Sequence, residues 1–111
     1  MIDAKVVTIC GSMKFAEAQK QVAEKLELEN NWCVLQCIYG DKKQNYTKQD
    51  EKALDILHKQ KIGLSDAIFV VNVGGYIGDS TRSEIEYAKQ KGKEIIYLDK
   101  SHPKCDNIQN K

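Results

Sequence analysis

Residues 65–98, SDAIFVVNVGGYIGDSTRSEIEYAKQKGKEIIYL, contain two apolar runs separated by a glycine-rich loop and a polar-apolar segment. The first run, AIFVVNV (67–73), lacks alternation, which is the pattern of a strand covered on both faces. Thr81 to Lys91 reads as a helix, Gly92 suits the left-handed residue that closes it, and EIIYL (94–98) is the next strand. A strand, a helical crossover and a second strand imply parallel pairing.

The same unit recurs upstream. KVVTIC (5–10) is a β-branched run ended by Gly11, and in SMKFAEAQKQVAEKLELE the residues Phe15, Ala18, Val22, Ala23 and Leu26 fall at helical spacing. WCVLQCI (32–38) reads as a second strand, followed by a polar, mobile loop near residues 40–49. A helix is expected from about Asp50 to Leu64, with Ala53, Leu54, Leu57 and Ile62 turned inward. The order β-α-β-α-β-α-β predicts an α/β fold, a flavodoxin/Rossmann-like three-layer sandwich with a parallel sheet of four or five strands. With strand order 2-1-3-4, ligands bind where the order reverses, beside the loops after the first and third strands.

Length and charge narrow the functional classes. A chain of 111 residues is read as a single domain, with a polar tail from about residue 100. Seventeen basic and sixteen acidic residues, scattered along the chain, give a net charge of +1. That balance argues against binding a nucleic-acid polymer. No apolar run approaches the roughly 20 residues of a membrane helix, so no membrane partner and a cytoplasmic location are expected. Cys10, Cys33 and Cys37 read as buried thiols, because they lie in or beside strand-like runs. Cys33 and Cys37 with His58 and His102 signal a zinc site only weakly, so neither a metal nor a cofactor is expected.

Chemistry concentrates in the two loops at the switch point. Gly11 and Ser12, at a strand end with Lys14 one turn on, offer backbone N–H groups, a hydroxyl and a cation to an anion; Ser12 can equally cap its helix. The spacing matches neither a P-loop nor a dinucleotide fingerprint. Thr81 and Glu84 fit a capping box, in which the threonine hydroxyl accepts from the glutamate amide and the carboxylate reaches back. The same carboxylate also points at the crevice above the sheet. His58 reads as structural or as a site residue, and Tyr76 as a base-stacking or loop-covering ring.

TICGSMKFAEA (8–18) and LHKQKIGLSDAIFVVNVGGYIGDSTRSEIEYAKQKGKEIIYL (57–98) resemble the nucleoside 2-deoxyribosyltransferase superfamily, which includes the deoxynucleoside 5′-monophosphate N-glycosidases. The resemblance implies that Glu84 attacks the anomeric carbon and expels the base. It implies phosphate contacts from Ser12, Lys14, Gly78 and Ser80, within a substrate-binding set that adds Gly11, Asn72, Gly75, Tyr76 and Thr81. Thr8 replaces a tyrosine common in the first strand, Lys14 replaces an arginine, and His58 occupies the place of an assisting aspartate, a role Asp55 could take one turn earlier. Assembly as a homodimer or larger homo-oligomer is also implied.

Two functions follow as expectations. One is cleavage or transfer at the N-glycosidic bond of a (deoxy)nucleoside or its 5′-monophosphate. The other is a non-catalytic nucleotide-binding or sensing module on the same fold. A flavin-binding reading has only the topology behind it.

Overall fold

The computed structural model of the chain describes residues 3–40 and 45–100. The central part of the expected 40–49 loop, and the tail with His102, lie outside these residues. Strands β1 (Val6–Gly11), β2 (Cys33–Leu35), β3 (Ala67–Val71) and β4 (Glu94–Tyr97) form one sheet in the order β2-β1-β3-β4, with every pair parallel. Helices α1 (Ala16–Asn30), α2 (Lys48–Leu64) and α3 (Asp79–Gln90) make the crossovers. Right-handed connections place α1 on one face and α2 with α3 on the other, because β2 lies to one side of β1 and β3 to the other.

The period-2 alternation of the strands separates two cores. Val7 and Ile9 of β1 join Ala67, Phe69 and Val71 of β3 against Ala23 and Leu26 of α1. Cys10, Ile68 and Val70 point the other way, against Ile62 of α2 and Ile85 and Ala88 of α3. Thr8 shares that second face, where its hydroxyl is 2.5 Å from the Ser65 hydroxyl and donates to the Lys61 carbonyl at 3.2 Å. A threonine is therefore accommodated in the core by the last turn of α2.

Several local expectations change. β2 pairs over only three residues, since an edge strand needs just the contacts that β1 offers it; Cys33 is exposed and Cys37 half-buried, so of the three thiols only Cys10 is fully buried. Helix α2 starts before Asp50 because Thr47 and Asp50 form a reciprocal capping box, the Thr47 hydroxyl accepting from the Asp50 amide and the Asp50 carboxylate from the Thr47 amide, both at 3.0 Å. Ala53 and Leu57 lie on its exposed side; Leu54 is half-buried and Ile62 buried. Gly92, at φ 71°, closes α3 as expected: its N–H bonds the Lys89 carbonyl at 3.0 Å and that of Lys93 the Ala88 carbonyl at 2.9 Å, a Schellman pair. No described helix is long and apolar enough to cross a membrane.

Asn72 ends β3 fully buried. Its Nδ2 donates to the Asp99 carbonyl at 3.1 Å and its Oδ1 accepts from the Asp99 N–H at 2.9 Å, tying the exits of β3 and β4 together. Asn72→Ala removes both bonds. It is expected to cost about 2 kcal/mol, read as a lower urea midpoint at unchanged slope; an unchanged midpoint would contradict this role.

Candidate functional site

Between the carboxyl ends of β1 and β3, three segments enclose a cavity of 390 Å³. Gly11, Ser12 and Met13 leave β1, Gly78 to Thr81 open α3, and Glu51, Leu54, Asp55 and His58 come from α2; Tyr76, Ile38, Cys37 and Glu84 complete the wall. Its size falls in the roughly 300–1,000 Å³ range of small-ligand pockets. The position is the one the strand order dictates.

Glu84 does not cap a helix. Gly78 holds an extended backbone (φ −82°, ψ 177°), so α3 begins at Asp79 and both Thr81 and Glu84 lie inside it, on the buried stripe with Ile85 and Ala88. The threonine-to-glutamate spacing satisfies a capping box only where the threonine itself is the last non-helical residue, and here Gly78 takes that place. No side chain at Gly78 caps the first turn, whose residues Asp79, Ser80 and Thr81 line the cavity. The positive end of the helix dipole is thereby left facing the pocket.

At the cavity floor, Glu84 Oε1 lies 3.8 Å from His58 Nε2, which lies 3.7 Å from Cys10 Sγ. All three residues are at least nine-tenths buried. Burial pushes the Glu84 carboxyl up to about 7, and the neighbouring Asp55 adds to the rise. Burial, then the Lys61 ammonium, pushes His58 down to about 4, while the Ile9 carbonyl and Asp55 favour its proton. Burial also drives the Cys10 thiol well up, with Glu84 adding to it. Near neutrality the imidazole and thiol are uncharged and the carboxyl sits at its titration midpoint. His58 Nδ1 is buried without a partner in hydrogen-bonding geometry among the described residues.

Of the other residues expected from the sequence, Ser12 caps a turn and stands in the cavity wall. Its hydroxyl accepts from the Lys14 amide at 3.2 Å, capping the short turn Met13–Phe15, and it lines the cavity. Lys14 does not line it: its ammonium lies 4.0 Å from the Tyr76 ring centroid, and that ring meets Phe15 edge-on at 5.9 Å. Tyr76 thus forms a rim between the two loops. Asn72 and Gly75 also stand outside the cavity lining; Gly74 and Gly75, at φ 65° and 86°, supply the left-handed turn that carries the chain from β3 to Tyr76. Asp55 lines the cavity and bonds Lys59 at 3.3 Å.

Gln19 and Cys10 were not anticipated. Gln19 is fully buried and its Nε2 donates to the Ser12 carbonyl at 2.7 Å, fixing the loop after β1. A Cβ at Gly11 would stand 3.1 Å from both Gln19 Nε2 and the Val71 carbonyl, so a side chain there requires these neighbours to give by a few tenths of an ångström.

No known protein-family profile and no curated protein matches the chain. Among the solved structures that superpose on it are these two. One is a conserved protein from Enterococcus faecalis V583, at a TM-score of 0.60 and 14% identity over 98% of this chain and 76% of that one. The other is the CMP N-glycosidase BcmB of Clostridium botulinum, at 0.58 and 21% identity over 96% and 82%. This chain shares its fold with an N-glycosidase. At such identities the likeness concerns the fold, and the chemistry has to be argued from the cavity.

Proposed function

We propose that the chain breaks the N-glycosidic bond of a (deoxy)nucleoside or its 5′-monophosphate, with Glu84 as the nucleophile. The observation that carries this reading is a buried glutamate at the floor of a switch-point cavity, with no lysine or arginine in ion-pair distance among the described residues. Such a carboxylate is held for attack rather than for a salt bridge. Glu84 attacks the anomeric carbon as the bond to the base breaks, and the glycosyl ester passes to water or to a second base. Asp55 and the neutral His58 are placed to orient the sugar hydroxyls or the entering acceptor. The hydroxyls of Ser12, Ser80 and Thr81, with the amides that open α3, are offered to a 5′-phosphate, and Lys14 reaches it only by leaving the Tyr76 ring.

Incubation with deoxynucleosides and their monophosphates, CMP and dCMP among them, and chromatography for free base tests the assignment. Because Glu84 attacks only when ionised, kcat/KM is expected to rise with pH through about 7, set by its raised pKa. A profile falling across that range would exclude a carboxylate nucleophile. Tight binding without release of base would instead support the sensing module, which the replacement of an assisting acid by a neutral His58 favours.

The reading includes a homodimer. Leu57 and Leu64 of α2 are more than half exposed and, with Ile38 and Leu54, line an apolar groove that reaches His58. A second copy laid on this face would shield both the groove and the flank of the site. Light scattering is expected to give twice the chain mass of 12.6 kDa; a stable monomer at micromolar concentration would refute it.

A further inference from the structure

We propose that Cys10, His58 and Glu84 form a binding site for a borderline-soft divalent cation, Zn²⁺ foremost, with the fourth coordination position open to the cavity. The three residues come from β1, α2 and α3, and their Sγ, imidazole nitrogen and carboxylate oxygen all lie within 4.8 Å of one another. Zinc bonds of about 2.3 Å to sulfur and about 2.0–2.1 Å to nitrogen or oxygen place tetrahedral neighbours roughly 3.3–3.6 Å apart. The observed separations of 3.7 Å (sulfur to nitrogen) and 3.8 Å (nitrogen to oxygen) need to contract by only a few tenths of an ångström, and the sulfur-to-oxygen separation, within 4.8 Å, has to close by up to about 1.2 Å through movement of the Glu84 side chain.

Charge supports the same ligand. One thiolate and one carboxylate around a divalent cation make a neutral assembly, the arrangement a buried site tolerates best. Binding replaces the thiol proton, and any proton on the carboxyl, with the cation; both protons leave to solvent, so affinity rises with pH. With Nε2 on the metal, the imidazole carries its proton on Nδ1, the nitrogen left without a hydrogen-bond partner among the described residues. A thiolate among the ligands selects zinc-like ions over magnesium or calcium. Glu84 and His58 both line the cavity, leaving the fourth position to water or a ligand. Cys33 and Cys37, which suggest zinc by their spacing, are not the thiols involved: Cys33 is exposed on the edge strand and neither belongs to the cluster.

Occupancy would engage the Glu84 carboxylate, so the test is made without substrate and its result is independent of any glycosidase activity. Cobalt(II) is titrated into the reduced, chelator-treated full chain. One equivalent is expected to produce the near-ultraviolet thiolate-to-cobalt band and the intense visible bands of a tetrahedral ion, and Zn²⁺ is expected to displace it. The variant C33S/C37S/C105S, which keeps only Cys10, should give the same spectrum. Cys10→Ser should lose the thiolate band, and His58→Ala, checked for folding by circular dichroism, should weaken binding more than roughly 100-fold, beyond the effect of an outer-shell partner. Absence of the band in the native chain, or its loss in the triple variant, would overturn the proposal.

Discussion

Glu84→Gln is expected to abolish turnover and, at the same time, to make the folded protein more stable above pH 7. The amide keeps the shape of the side chain but cannot attack a sugar carbon, so the rate should fall by on the order of 10,000-fold or more, as for removal of other nucleophiles. Helix α3 loses nothing at its start, since Gly78 and not Thr81 is its cap residue. The stability gain comes from the carboxyl itself. Raised to about 7 by burial, it is a charged group in a poorly solvated place at pH 8, and removing it should add up to about 3 kcal/mol. Single-turnover assays and urea unfolding at pH 8 check the two halves. Normal turnover in the glutamine variant would remove Glu84 from the chemistry, and a lower urea midpoint would contradict the cost assigned to its burial. A slow 2-fluoro-arabinosyl substrate should also leave its mass on the peptide carrying Glu84.

The second large effect concerns pH and the metal-free protein in chelator. Between pH 4.5 and about 7 the native state retains a Glu84 proton that the unfolded chain releases, so this group makes stability fall as pH rises. Between about 4 and 6.5 the unfolded chain holds a His58 proton that the native state excludes, so this group makes stability rise with pH. From 4.5 to 6.5 the two slopes oppose each other. Their joint contribution in the native protein should be nearly flat there and decline from 6.5 to 7, where only the Glu84 slope remains. In Glu84→Gln the histidine acts alone, and stability should climb by up to about 3 kcal/mol from pH 4 to 6.5 relative to the native protein. His58→Gln should show the reverse, with stability falling toward pH 7. Urea midpoints over this range test both, and parallel profiles for all three proteins would refute the assignment.

The parallel sheet and, given the order 2-1-3-4, the location of the cavity were legible because they depend on features that survive averaging along the chain. The unbroken apolar run at 67–71 requires cover on both faces, and the helical crossovers dictate parallel pairing. Glu84 could be singled out because it follows the glycine-rich loop at a distance that places it over the sheet end. Its local role was not legible. TRSE spells a capping box, but whether a threonine caps depends on where the backbone first turns helical, and Gly78 moved that point upstream. The box at Thr47 and Asp50 departs from the usual spelling, since aspartate, a shorter acid than glutamate, closes it.

Side chains that act across the sheet were harder still. Cys10 reaches His58 and Glu84 only because β1, α2 and α3 converge, over separations that sequence spacing does not encode. Gln19 left a faint trace: it interrupts an otherwise apolar stripe that runs from Phe15, just before α1, through Val22, Ala23 and Leu26 on it, which marks a polar residue with a buried task. The fate of Lys14 was invisible for a different reason, since an ammonium and an aromatic ring brought together by two separate loops leave no pattern in either.

The division of the core by the sheet also decides what light can report. The sole tryptophan, Trp32, packs with the α1-side cluster, its indole 5.0 Å from the Lys5 ammonium, while the cavity opens on the α2 and α3 side. Its emission follows the dismantling of the α1 layer and senses an occupant of the cavity only through the intervening strands. A flat fluorescence titration with nucleotides or cobalt would therefore leave binding undecided, whereas the same indole makes a serviceable optical marker for every urea experiment described above.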